Sequence, residues 1–479
     1  MAKEKKLVEE ITSREEDFAQ WYTDVVKKAE LMSYSQIKGF MNYLPAGYAI
    51  WENMQADLDR RFKENGVENC YLPVLIPESL LSKESELVEG FAPEVAWVTK
   101  GGNSELEERL AVRPTSETMF SELYRTLIHS YRDLPKTYNQ WCSVVRWEKT
   151  TRPFLRSSEF LWQEGHTAFA TEEESEEFTQ RMLNVYADFC EETLAIPVVK
   201  GKKTDSEKFA GASSTYTIET LMHDGKALQS GTSHNFGDGF ARAYGIQYTD
   251  KDNKLQYVHQ NSFGASTRLI GAVIMVHGDD SGLVLPPKIA PTQVMIVPIR
   301  QDAEGVLDAA DKIADTLRAA GLRVKVDDSE KSPGWKFADA EMRGIPLRIE
   351  IGPKDLQNGT CIAVRRDNRE KTECRIEDVV STVQDLLVTE QADMLQRAKD
   401  FLNSHISEAH DYDEFRDCVN NKPGFIKAMW CGDPECEAKI KADTTATSRC
   451  MPFDQTPIDD KCVCCGKPAH KLVYWGKAY

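Results

Sequence analysis

Val145-Arg146-Trp147-Glu148 and Ser262-Phe263-Gly264-Ala265-Ser266-Thr267-Arg268-Leu269-Ile270 set two arginines in a strand-like and a strand-to-helix context. A guanidinium is planar, permanently charged and able to bond two oxygens at once, so such a pair suits a nucleoside triphosphate. Arg146 could neutralise charge at a reacting phosphate while Arg268 holds the leaving end. Catalysis of that kind is electrostatic and requires no nucleophile. Arg156, after the turn Thr150-Thr151-Arg152-Pro153, and the stretch Gln229-Ser230-Gly231-Thr232-Ser233-His234 add groups that could line the same pocket. The same residues also fit a blander arrangement, with Arg146 and Glu148 paired on one strand face and Arg268 merely opening a helix.

Working outward, the periodicity predicts an amphipathic helix over 7–31, with Thr12 and Glu15 at capping-box spacing. A helix over about 48–64 follows, then a strand from Asn69 to Pro77, which Pro73 marks as an edge or an interface. A short strand at Leu110–Arg113 leads into a helix whose first turn carries Thr115, Ser116 and Glu117. Strands are expected near 141–149, 158–169, 197–200, 215–220, 226–230 and 255–260. Thr171 caps a helix whose acidic run, Glu172 to Glu177, is a solvated face favoured by the helix dipole. The first 285 residues therefore read as a mostly antiparallel sheet with helices beside it, an α+β catalytic domain. After the prolines at 286, 287 and 291, strands and helices alternate over 289–395 as a compact α/β domain. Residues 400–479 form a third segment.

Composition sets the limits. A chain of 479 residues, 41% hydrophobic, is long enough for about three domains at roughly 100–200 residues each. The formal charge of −18 argues against wholesale coating of nucleic acid. No segment reaches the ~18 apolar residues that span a bilayer, and Met1-Ala2-Lys3-Glu4-Lys5-Lys6 opens no signal core, so a cytoplasmic location with no membrane partner is expected. Six of the 12 cysteines are scattered, and the other six crowd into residues 431 to 465, which suggests metal. Cys431 and Cys436 form one knuckle-like pair and Lys461-Cys462-Val463-Cys464-Cys465-Gly466 supplies another. Four thiolates suit a closed, structural Zn²⁺ site. Cys462-x-x-Cys465 is the favoured second pair because Gly466 relieves its turn, with Cys464 and Cys450 held open as substitutes.

Taken in order, the strand at Pro73, Arg146-Trp147-Glu148 and the Arg268 helix resemble the three motifs of class II aminoacyl-tRNA synthetases. More closely, Val112-Arg113-Pro114-Thr115-Ser116-Glu117, Phe160-Leu161-Trp162-Gln163-Glu164-Gly165-His166, Lys208-Phe209-Ala210-Gly211 and Gly231-Thr232-Ser233-His234 resemble the prolyl-tRNA synthetase family over almost the whole chain. The resemblance implies a class II catalytic fold, an anticodon-binding domain and a zinc-bearing C-terminal domain. It implies that proline and ATP form prolyl-adenylate and that the prolyl group passes to tRNA(Pro). Arg146 would then hold the α-phosphate and the proline carboxylate, and Arg268 the γ-phosphate. Glu148, Arg156, Gln229 and Thr232 would complete the ATP site, with Mg²⁺ bridging the phosphates. Phe209, Trp162 and His166 would wall the proline ring. Thr115, Glu117 and Glu164 would accept from its ammonium or order the acceptors, and His234 would close the pocket.

The resemblance further implies a homodimer, through the Pro73 strand, and a compact archaeal- and eukaryotic-like type without the editing insertion that some bacterial relatives carry. A pocket of this kind separates small apolar amino acids poorly, since a methylene is worth only ~1–3 kcal/mol. From Gly321 to Thr372 there are 11 Lys or Arg against 9 Asp or Glu, a basic island in an acidic chain. Lys336, Glu341, Arg348 and Lys354 are the candidates for reading splayed anticodon bases. The aromatic C-terminus, to Tyr479, is expected to dock near the catalytic domain. Two rivals stand beside this reading. One is a threonyl-specific class II enzyme, which would need an active-site zinc; the other is a regulatory or RNA-binding relative that has lost catalysis.

Overall fold

Antiparallel pairing of Lys136–Val145, Glu159–Phe169, His259–Ser266, Ala227–Gly237, Ser214–Leu221 and Val199–Lys202, in that spatial order, builds the main sheet. The structure, a computed structural model, describes residues 11–87 and 94–479. One face of the sheet is covered by the helix Glu172–Glu192, which buries Phe178, Met182, Tyr186 and Phe189. Each such side chain contributes about 1.5–3 kcal/mol through burial. Thr171 accepts from Glu174 N in a full capping box, as the sequence predicts. Gly165 is obligatory here because a Cβ at that position would stand 2.0 Å from the Phe263 ring of the paired strand. The apolar helix Arg268–His277 leaves the end of His259–Ser266, so its first residue sits where strand becomes helix.

Two local expectations fail. The first helix is Phe18–Lys28, shorter than expected; Asp17, not Thr12, caps it by accepting from Ala19 N and Gln20 N. Thr12 instead donates through its amide and hydroxyl to Asp24, so its apparent capping box is spent on a tertiary contact. Residues 7–10 of that expectation lie outside the described residues. The strand expected from Asn69 to Pro77 is two pieces, Glu68–Asn69 and Leu75–Pro77, in different sheets. Pro73, lacking an N–H, stands between them.

The α/β unit has a mixed five-stranded sheet in the order Val324–Val326, Val294–Pro298, Leu347–Ile351, Thr360–Arg365, Lys371–Arg375. Its core includes Ile296, Ile313, Leu317, Ile349 and Val383, the last from the 26-residue helix Val379–Ser404. The following strands do not stand apart. Ile406–Glu408, Phe425–Trp430, Lys471–Gly476 and Thr447–Pro452 continue the main sheet, joined through Met451 opposite Lys202, and with Glu68–Asn69 on the far edge beside Lys136–Val145 it has 11 strands. Gly201 makes that junction possible: a Cβ there would lie 2.3 Å from the Met451 carbonyl oxygen.

Candidate active site

Strand pleating gathers the site. Trp162, Glu164 and His166 share one face of Glu159–Phe169, as Thr232 and His234 do on Ala227–Gly237. The register sets Glu164 and Thr232 on either side of Gly264, and His166 and His234 on either side of Ser262. With Thr115, Glu117, Arg146, Phe209, Gln229 and Arg268 they line one cavity of about 260 Å³. Gly264 went unnoticed in the sequence, although a glycine inside a strand signals a close approach of something else. Any side chain there would fill the cavity floor.

Arg146 follows the strand Lys136–Val145 and extends its ladder by donating its amide to Ser158 O. Its Nε donates to Pro114 O at 3.1 Å, and its guanidinium lies 5.3 Å from the Trp162 ring and 5.4 Å from Phe160. Arg268 donates to Leu155 O and more distantly to Gln229 O. Neither arginine makes an ion pair among the described residues. Burial pushes the Arg268 guanidinium down to about 10, and the charges of Arg156 and Arg146 act the same way. Burial also lowers Arg146, against the pull of Glu117, Glu164 and Glu148. Two half-buried cations that close no ion pair among the described residues leave positive charge free at their side of the cavity, the condition for holding an anion. Glu148 and Arg156 stand 3.9 Å apart outside this cavity: Glu148 lines the recess beside Arg146, and Arg156 a second one shared with Arg268 and Tyr479.

The acidic end is differently built. Glu164 is buried and accepts from Ser116 N, Ser116 Oγ, Gln140 Nε2 and His166 Nε2. Burial alone would raise its carboxyl, but these bonds, His166 first, hold it below the usual range. Its oxygens are thus largely spent on ordering the helix start that presents Thr115 and Glu117. Ser116 and Gln140 went unassigned in the sequence, because nothing in either residue type marks a buried brace. Thr115 Oγ1 donates to Glu117. Burial, helped by His166, brings His234 down to about 3, so the imidazole is neutral. Its Nδ1 meets Thr215 Oγ1 at 2.9 Å, and that hydroxyl also accepts from Phe209 N at 2.9 Å, fixing Phe209 beside His234 with ring centroids 4.8 Å apart. His166 stacks on Phe120, so it closes the floor.

The sulfur atoms of Cys431, Cys436, Cys462 and Cys465 lie within 4.8 Å of one another. Cys431 is 3.8 Å from both Cys436 and Cys465. Ligands about 2.3 Å from a tetrahedral zinc would be about 3.8 Å apart, so the donor set fits that ion. Gly466, at φ 72°, makes the tight turn. Cys464 and Cys450 stand outside this group of four.

The four anticodon candidates differ in exposure. Lys336 is buried and donates to Gln301 Oε1 and Asp327 O, tying a helix to the sheet. Arg348 is 8% exposed; it donates to Glu350 Oε1 through Nε and Nη2 and lies 4.1 Å from the Phe337 ring. Glu341 is half-buried, 3.5 Å from Arg348. Only Lys354 of the four is exposed. At the other end, the last residues do reach the catalytic sheet: Ala227 N donates to Lys477 O, Tyr479 N to Ala227 O, and Tyr479 Oη to Asp224.

Comparison with known proteins bears on the whole chain. Residues 97–277 match the family model of the tRNA synthetase class II core domain (G, H, P, S and T), 293–386 the anticodon binding domain, and 412–479 the prolyl-tRNA synthetase C-terminal domain. A proline–tRNA ligase of Agathobacter rectalis is 70% identical over 480 residues, and one of Lachnospira eligens 69% over 479, each alignment covering 100% of both chains. Among solved structures, prolyl-tRNA synthetase from Cryptosporidium parvum complexed with halofuginone and AMPPNP superposes with a TM-score of 0.94 at 41% identity. It covers 98% of this chain and 99% of its own.

Proposed function

The chain belongs to the prolyl-tRNA synthetase family, and we propose on that premise that it activates proline with ATP and transfers the prolyl group to tRNA(Pro). The observation that carries this reading is the charge-divided cavity. Arg146 and Arg268 close no ion pair among the described residues, while Thr115 and Glu117, braced by Glu164, form the acidic end. A zwitterionic amino acid and a triphosphate complement that division. Arg146 then holds the α-phosphate and the proline carboxylate, which sets the attacking oxygen against phosphorus, and Arg268 holds the γ-phosphate. Gln229 and Thr232 complete the nucleotide site, and Arg156 and Glu148 close its rim. Mg²⁺ would accompany the triphosphate and offset its charge. Phe209, Trp162, His166 and the neutral His234 enclose the ring, while Thr115 and Glu117 receive the ammonium. Free arginines at these positions favour a working enzyme over a regulatory relative.

Cys431, Cys436, Cys462 and Cys465 would hold a structural zinc, which leaves no open position for bond-making. The division 1–285, 289–395 and 400–479, the compact type without an editing insertion, the homodimer and a cytoplasmic site complete the proposal. No helix among the described residues is long and apolar enough to cross a membrane. For the anticodon, Lys354 and the outer edge of Glu341 remain as contacts. Exchange of labelled pyrophosphate into ATP, run with each of the twenty amino acids, tests the activity; selectivity for anything but proline, or no exchange, overturns it. Light scattering during gel filtration tests the dimer, and a monomer at micromolar concentration refutes it.

A further inference from the structure

Phe209 is carried by residues 203–213, the connection between strands Val199–Lys202 and Ser214–Leu221, and the C-terminal segment grips the root of that connection at two buried points. At the first, Thr204 Oγ1 donates to Glu437 Oε1 at 2.8 Å, and Ser448 Oγ donates to the same oxygen. Thr204 is 1% exposed and Glu437 5%. At the second, Lys203 Nζ donates to Glu219 Oε1 at 2.8 Å, and Arg449 reaches the other Glu219 oxygen through Nε and Nη2. From Thr204 the chain turns tightly, with Glu207 N and Lys208 N both donating to Thr204 O, and the next residue is Phe209. The position of Thr204 therefore helps to set that of the proline-pocket wall, together with the bond from Phe209 N to Thr215 Oγ1.

We infer that Glu437 and Thr204 are a positioning pair for the amino-acid half of the site, so that the C-terminal segment sets the affinity for proline without touching it. The inference rests on the proposed proline pocket. A buried carboxylate is costly unless it is bonded; Glu437 Oε1 accepts two bonds while Oε2 has no partner among the described residues, so Glu437 is poorly placed as mere filling. Three further observations give it a direction. Glu437 lies on the helix Pro434–Thr444 immediately after Cys436, so the thiol cluster and the grip share one helical turn. Ser448 lies on the strand that pairs with Val199–Lys202, so both groups meeting Thr204 come from the C-terminal segment. Arg146 beyond Lys136–Val145 and Arg268 on its own helix stand on other elements, whereas Glu219, at the second point, faces Gln229 across the sheet. Disturbing the Thr204–Glu437 point alone is thus felt by proline more than by ATP.

The test uses full-length protein carrying Thr204→Val, Glu437→Ala or Glu437→Gln, with KM for proline and for ATP read from pyrophosphate exchange. Loss of one hydrogen bond to a charged acceptor predicts a rise in proline KM of about tenfold for Thr204→Val. ATP KM stays within about twofold, and Glu437→Gln, which keeps an acceptor oxygen, restores most of the affinity. Hydrogen exchange supplies a readout independent of activity: the amides of Glu207, Lys208 and Phe209 exchange faster in Thr204→Val and Glu437→Ala, while the strand Lys471–Gly476 is unchanged. Equal rises in the two KM values, or unaltered exchange at 207–209, overturn the inference. Absence of proline-dependent exchange in the unsubstituted protein overturns the proposed function instead, and the amide rates still decide whether the grip exists.

Discussion

Arg146 and Arg348 are both largely withdrawn from water, yet one is left without a carboxylate and the other is fully provided. Around Arg146 the neighbours are a carbonyl oxygen and the rings of Trp162 and Phe160, and Glu117, Glu164 and Glu148 pull on it without closing an ion pair among the described residues. Around Arg348 are Glu350 at bonding distance, Glu341 at 3.5 Å and the face of Phe337. An arginine completed by its own protein stabilises a sheet; one left incomplete is held ready for something brought from solution.

The largest expected effect breaks the comparison at its catalytic side. Arg146→Ala and Arg268→Ala should each lower kcat/KM for pyrophosphate exchange by about 10²–10³-fold, the usual loss for a group aimed at developing charge. Thermal stability should hold, because neither side chain closes an ion pair in the unliganded protein. An Arg146→Ala protein that keeps its activity would remove the distinction between the two arginines.

Acid and base should separate the regions next. His234 and His277 have been brought down to about 3 and about 4, in each case by burial first. The unfolded chain therefore binds more protons than the folded one between those values and about 6.5, and stability falls as pH is lowered through that window, by up to about 1.4 kcal/mol per unit for each histidine. Glu390, on the helix over the α/β sheet, is opposite in sign. Burial, with Asp367 adding to it, raises its carboxyl well above the usual range despite Arg365, Arg366 and Arg397, and neither oxygen finds a partner among the described residues. Its contribution is complete below the unfolded value and is lost as pH rises through the folded one. Urea unfolding from pH 4 to pH 9 should show both limbs, and Glu390→Gln should flatten only the upper one.

This difference also explains what could be read from the sequence. Strand alternation brought Trp162, Glu164 and His166 to one face, and the capping box at Thr171 was visible in four residues, because both depend on local spacing. The cavity residues were legible because an unliganded site keeps chemistry that no structural need accounts for. Ser116, Gln140 and Gly264 were not, since their importance lies in which residue the fold places opposite them. Thr12 and the unbroken apolar run from Asn69 to Pro77 misled for the same reason: a local signal was overridden by Asp24 and by a change of sheet. The burial of Lys336 and Arg348 was not legible, because a charge on a basic stretch looks the same whether it faces water, a carbonyl oxygen or a carboxylate.

The smallest expected effect sharpens the comparison inside the α/β unit. Arg348→Ala should cost about 2 kcal/mol of stability by leaving Glu350 without the Nε and Nη2 donors and Glu341 without the charge beside it. Its effect on tRNA should follow from that loss. Lys354 is exposed, so Lys354→Ala should change stability by less than about 0.5 kcal/mol. It should raise KM for tRNA in aminoacylation by about two- to fivefold, the worth of one screened charge contact, and leave proline-dependent pyrophosphate exchange untouched. The paired readings separate a residue that holds the fold from one that meets a partner. If Lys354→Ala leaves tRNA KM unchanged while Arg348→Ala raises it at full stability, the internally paired arginine is the one that reads RNA, and pairing within the protein no longer marks a structural charge.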